Sequence, residues 1–259
     1  VSAYTVFAGY LSELASIVKF CRLAALLRPR VNEYLRWEIA DPQVKTLFQD
    51  FLASNPNETR IFQSVVVSIH AGFEQFVLDL IDDGAEVISD RKLSRSVFEV
   101  AFPNSLRHLH KANGIALASI QEPKQHWKVD YEELIRRLAS TQVGSSQVTI
   151  YGRPLGIQKG NLSHDMLEEI LDRFFCFRIP WGELCKDSKL QKSLGAPNKT
   201  SAEVALKALL NKLLSLRNSL AHSQGSEHVE YDEVLGYGSV CDRFGELLSE
   251  RLLTSVRGT

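Results

Sequence analysis

The residues whose types and spacing could do chemistry lie in one short stretch, Arg217-Asn218-Ser219-Leu220-Ala221-His222. A guanidinium stabilises charge on phosphoryl-type oxygens, and an imidazole titrating near neutrality moves protons. Together they suit acid–base work at an anionic centre. In a chain with seven histidines, about 0.4 Arg-x4-His pairs are expected by chance, so the elements that carry the pair decide its weight.

Thr200 and Glu203 have capping-box spacing and open a predicted helix through Leu206, Leu209, Leu210, Leu213, Leu216 and Leu220, with Gly225 as its stop. Arg217 falls inside that leucine stripe and must face the core or an interface, where an unpaired guanidinium is costly. A carboxylate or a phosphate is the expected partner. Glu74, with His70 one turn earlier, flanks the other strongly amphipathic helix and is the best carboxylate. An Arg–Glu pair that only fixes helix register is the structural alternative. His222 follows Arg217 by five residues, about 140° round an unbroken helix. Both reach one phosphate only if the helix ends or loosens near Ser219 to Ala221, or if the site lies at an interface; a His in a last turn also simply suits the helix dipole.

The elements that must position these residues read as helices. Residues 2–27 form an amphipathic helix predicted to end at Arg28-Pro29. A short helix follows over Gln43–Ala53. Asn55-Pro56 then caps a helix to about Ser89, with the stripe Phe62, Val65, Val66, Ile69, Phe73, Phe76, Val77, Leu80 and Ile81. Between 91 and 199, helices are expected near Ser94–Lys111, Asp130–Ser140 and Ser163–Phe175, with Gln147–Tyr151 a short strand or an extended loop among glycines and Pro154. Asp232 and Glu233 open a last helix with the stripe Val234, Leu235, Cys241, Phe244, Leu247, Leu248 and Leu252. The fold class is all-α: an antiparallel helical bundle in a single domain over 1–259, with its core at about 57–90 and 200–256, N-terminal helices over 2–53 and a mostly helical insertion over about 91–199.

Composition sets the boundaries of function. A net charge of −1 gives no global pull toward nucleic acid, so RNA contact needs a local patch. Three groups qualify: Arg91, Lys92 and Arg95; Arg107, His108, His110 and Lys111; and Lys186, Lys189 and Lys192. Each also reads as a solvated helix face. Trp127, between His126 and Lys128, could stack a base or fill a core position. Cys21, Cys176, Cys185 and Cys241 form no CxxC pair, and they read as small buried side chains in a reducing, cytoplasmic compartment. No metal site and no cofactor are expected. Glu13, Lys19 and Arg22 interrupt the apolar N-terminal run, so no membrane association is expected there. A start at Val1 rather than Met leaves room for residues upstream.

Leu216 to Ser223 resembles the R-N-x-x-x-H signature of HEPN domains, and it stands, as in those bundles, at the end of the penultimate helix. His70-Ala71-Gly72-Phe73-Glu74 resembles the earlier helix of that superfamily, which carries an acidic residue near the motif arginine. A helical segment from Asn161 to Phe175 between the two motif helices is similar to the RiboL-PSP-like HEPN proteins of bacterial conflict systems. The resemblance spans about 57–90 and 161–255. It implies a metal-independent endoribonuclease, a toxin or antiphage defence effector, in which the RNA 2′-hydroxyl attacks the adjacent phosphate to give a 2′,3′-cyclic phosphate and a 5′-hydroxyl. Arg217 and His222 would be catalytic; Asn218, Glu74 and His70 would support them. A homodimer would supply a second Arg217–His222 set, and an antitoxin or sensor partner would hold the activity in check. The alternative is a catalytically silent HEPN-like dimer that scaffolds or senses a protein or nucleotide.

Overall fold

A computed structural model describes residues 2–35, 42–53, 58–103, 105–119, 131–152, 162–221 and 228–258. The predicted features at Asn55-Pro56, Trp127 with its neighbours, His222 and Gly225 lie outside the described residues. Among those described the fold is all-α, with eleven helices and no strand. They are α1 (Ala3–Leu35), α2 (Pro42–Ala53), α3 (Glu58–Asp90), α4 (Arg95–Ala101), α5 (Ser105–Ser119), α6 (Tyr131–Ser140), α7 (His164–Phe175), α8 (Trp181–Leu184), α9 (Ser188–Ser193), α10 (Lys199–Ala221) and α11 (Tyr231–Gly258).

The four long helices alternate in direction. Ala3 N–H donates to Asp83 at 2.9 Å while Arg22 pairs with Glu58, so α1 runs antiparallel to α3. Phe62 meets Tyr231 and Phe73 meets Phe244, so α3 and α11 run together. Lys212 pairs with Glu233 at 2.5 Å, while Lys207 lies over Trp181, which stacks on Phe244, so α10 runs against α11 and α3. Apolar periodicity explains the assembly: Phe7, Leu11, Leu14 and Val18 of α1 close over the α3 stripe, every member of which is buried. Phe7 stacks on Phe76 at 4.8 Å, and Trp181 of α8 stacks on Phe244 at 5.6 Å. Gly245 permits this closeness, since a Cβ there would stand 3.2 Å from the Phe7 ring. α3 is also long and apolar enough to cross a membrane by composition, but here it is the central helix, touching α1, α7, α10 and α11.

Four expectations are corrected. α1 does not stop at Arg28-Pro29; it continues to Leu35 with Pro29 inside it. Pro29 is exposed, so water can take the carbonyl that its missing N–H abandons. The helix expected over Ser94–Lys111 is two, because Phe102 before Pro103 leaves helical geometry at φ −129° and ψ 68°. Asn198, not Thr200, caps α10, accepting the Ser201 N–H at 3.0 Å; Glu203 pairs instead with Lys207. Cys176 is exposed in a left-handed C-cap, whereas Cys185 and Cys241 are buried and Cys21 half-buried.

Of the two readings for Gln147–Tyr151, the extended loop holds. Val148 N–H donates to Leu93 O at 2.7 Å and Ile150 N–H to Ser89 Oγ at 2.8 Å, so the segment is fastened without pairing as a strand. On α11 the buried stripe is Val234, Tyr237, Cys241, Phe244, Leu248, Leu252 and Val256; Leu235 and Leu247 flank it.

Candidate active site

The α3–α10 contact positions the predicted residues. Leu206, Leu210, Leu213 and Leu216 are buried and pin α10, and Arg217, next in line, is half-buried beside them. Its Nη1 donates to Asn218 Oδ1 at 2.9 Å. That bond satisfies one guanidinium N–H within α10 itself and fixes the plane of the fork. α10 is helical through Ala221, at the close of the window where spacing required a helix end. His222 lies outside the described residues.

On α3, His70 and Glu74 stand one turn apart. His70 is 2% exposed and Glu74 21%, with Nδ1 to Oε1 at 3.9 Å. Among the described residues neither imidazole nitrogen makes a hydrogen bond of good geometry, although the Leu162 backbone lies beside the ring; a buried group left so costs about 1–3 kcal/mol. Burial pushes the His70 pKa below its ordinary value; Glu74 opposes that shift, Arg217 adds to it, and the Leu162 backbone favours the protonated form. His70 is therefore neutral at pH 7 and lies within electrostatic reach of both Glu74 and Arg217. The expected Glu74 grip on the Arg217 fork is not what the described residues show: no ion pair joins the two, and Glu74 faces His70 and accepts a long 3.5 Å bond from the Leu162 N–H.

Leu162 introduces a residue that the sequence reading passed over. His164, the first residue of α7, meets Asn211 Oδ1 of α10 through Nδ1 at 3.1 Å and Asp165 through Nε2 at 3.1 Å, with its ring edge-on to Trp181. It ties the start of α7 to α10 upstream of Arg217, and so holds the backbone that touches Glu74. The available signal was a histidine directly after the Ser163 cap.

The basic candidates separate. Arg91 donates to the Val256 carbonyl at 2.7 Å near the end of α11, Arg95 pairs with Glu99 at 3.1 Å and Lys186 pairs with Glu183 at 2.7 Å. Lys92 is exposed in the left-handed region at φ 51°. Arg107 and Lys111 are exposed on α5, and with Arg173 of α7 they add to the burial that lowers the pKa of His108. His108 packs edge-on against Phe174, and the exposed His110 bonds Thr141 at 2.7 Å, so each histidine has a partner within the fold. Lys189 and Lys192 are exposed on α9. Among the described residues, no cluster of His, Cys, Asp and Glu could hold a metal.

Comparison with known protein families, with curated proteins and with solved structures finds no match to this chain.

Proposed function

We propose that this chain is a metal-independent endoribonuclease of the HEPN type, which cleaves RNA by 2′-hydroxyl attack to leave 2′,3′-cyclic phosphate and 5′-hydroxyl ends. The observation that carries the reading is Arg217: a half-buried guanidinium on α10, held by Asn218, whose charge is felt by the buried His70, itself 3.9 Å from the half-buried Glu74. A cation fixed in a partly dry site, with only one donor engaged among the described residues, suits the charge that develops on phosphoryl oxygens. In this reading His222 moves the protons, Arg217 and Asn218 bind phosphate, and the exposed Arg107 and Lys111 contact the RNA backbone. In the same reading a homodimer supplies a second Arg217–His222 set, the setting is cytoplasmic, and the role is that of a toxin or antiphage effector under an antitoxin or sensor partner.

The test is incubation of purified wild type and His222→Ala with single-stranded and structured RNA in EDTA. Wild type cuts and the variant does not; cleavage that persists in the variant removes His222 from the mechanism, and cleavage abolished by EDTA calls for a metal.

One observation bears on the association that both this reading and the alternative, a silent dimeric scaffold, require. Ile17, Phe20, Leu23, Leu26 and Leu27 are all exposed on α1, Phe20 by 69%. An apolar row of that size serves association whether or not the site is active.

A further inference from the structure

Lys19 and Arg22 argue against α1 as a membrane span, but they suit a helix that lies on a membrane surface. From Ile17 to Leu27 the helix is apolar almost all round. Val18 is fully buried against the bundle, yet Ile17, Phe20, Leu23, Leu26 and Leu27 are exposed. At about 100° per residue these five cover an arc of about 180°, centred opposite Val18. A helix that is apolar on every side is ordinarily buried, so the outer arc calls for a cover. Between Glu13 and Glu33 the sequence carries no acidic residue and four basic ones, Lys19, Arg22, Arg28 and Arg30. Arg28 is half-buried and the other three are exposed. On the same wheel Arg22 and Arg28 fall at the two edges of the arc, and Lys19 and Arg30 lie on one flank of it.

We propose that this half of α1 docks the protein on an anionic lipid surface. The helix axis lies in the plane of the interface, with the five apolar side chains among the headgroups and upper acyl chains and the basic residues against anionic headgroups. The proposal goes beyond the ribonuclease reading and uses none of its residues. Shape and charge choose this occupant. The arc is convex, whereas a docked peptide helix needs a groove; bulky side chains on a convex face enter the boundary between headgroups and acyl chains. Each Lys or Arg close to such a surface adds to binding, and the long basic side chains keep their charged ends in the headgroup layer while their stems lie on apolar surface. Arg22 meets Glu58 only at 4.0 Å and its side chain is 49% exposed, so a headgroup competes with a loose contact. A second copy seated on the arc would bring these cations toward their own counterparts, with no carboxylate from the stretch to offset them.

The test is sedimentation of the purified chain with vesicles of phosphatidylcholine, alone or mixed with phosphatidylserine. Wild type sediments with the mixed vesicles and not with phosphatidylcholine alone, and added salt releases it. Phe20→Glu combined with Leu27→Glu lowers binding by about tenfold or more, while the circular dichroism melt stays that of wild type because both positions are exposed. Lys19→Gln combined with Arg30→Gln also lowers binding by about tenfold or more and flattens its salt dependence. In Phe20→Trp, bromine-labelled acyl chains quench the added indole fluorescence. Wild type that stays in solution with mixed vesicles at low salt overturns the proposal, as does binding that survives either pair of substitutions. A wild-type dimer that the Phe20→Glu, Leu27→Glu chain loses, with no vesicle binding, overturns it too and assigns the face to a second copy.

Discussion

His70 Nδ1 stands 3.9 Å from Glu74 Oε1 on the same face of α3, yet burial outweighs the carboxylate and the imidazole stays below its ordinary pKa. A histidine held neutral in this way makes folding proton-dependent. The unfolded chain takes up the proton first as pH falls through about 6.5, so the native state binds fewer protons and loses stability from there downward. The loss from His70 is at most about 1.4 kcal/mol per pH unit. Urea midpoints measured from pH 7.5 to 5.5 should fall for wild type and fall less steeply for His70→Leu. Parallel slopes would mean that His70 is hydrated and ordinary.

In the proposed reaction Arg217 acts through its planar fork, one prong of which is held by Asn218. Lysine keeps the charge but not the fork. Arg217→Lys should therefore lower RNA cleavage by about a hundredfold or more while its melting temperature stays within a few degrees of wild type. Near-full activity in Arg217→Lys would reduce the residue to a general positive charge.

Asp187 caps α9 through the Leu190 N–H at 2.8 Å and grips Arg243 of α11 through Nε at 3.0 Å and Nη2 at 2.5 Å. The Arg243 guanidinium holds its carboxyl down at about 2. This stability is present above the ordinary carboxylate pKa and is lost as pH falls toward 2. Asp187→Ala should cost about 1–3 kcal/mol in denaturant unfolding at pH 7, with the difference from wild type shrinking in acid. A neutral substitution at pH 7 would show the pair to be a surface contact only.

How much of this was legible beforehand depended on the range of the forces involved. The α3 stripe from Phe62 to Ile81 was readable because each member meets the same core. Arg217 was placed beside the core by the leucines around it, and it is half-buried. What failed was decided by solvent or by competing neighbours. Pro29 looked like a stop, but its exposure makes the missing hydrogen bond tolerable. Thr200 looked like the cap, but Asn198 lies nearer the chain entry. Glu74 was expected on Arg217, but the adjacent Asn218 amide reaches it without crossing between helices. His164 joins α7 to Asn211 across forty-seven positions of sequence, a separation that no local pattern encodes.

Two glycines offer opposite tests of packing. A Cβ on Gly152 would meet the Asp82 Cα at 2.6 Å, backbone against backbone, whereas nothing lies within 4 Å of one on Gly238. Gly152→Ala should destabilise by about 2 kcal/mol or more by prising the 146–152 segment off α3. Gly238→Ala, inside α11, should stabilise by about 0.5–1 kcal/mol. Calorimetry on the two variants checks both signs, and equal effects would contradict the close approach of Gly152 to α3.

The central claim is tested most directly by the ends of the products. An all-ribose oligonucleotide and its 2′-O-methyl counterpart are incubated with wild type and Arg217→Ala in EDTA, and the fragments are analysed by mass spectrometry. The account predicts that wild type alone cuts only the ribose strand and leaves 2′,3′-cyclic phosphate and 5′-hydroxyl ends. Cleavage of the 2′-O-methyl strand, or fragments ending in 3′-hydroxyl and 5′-phosphate, would contradict it.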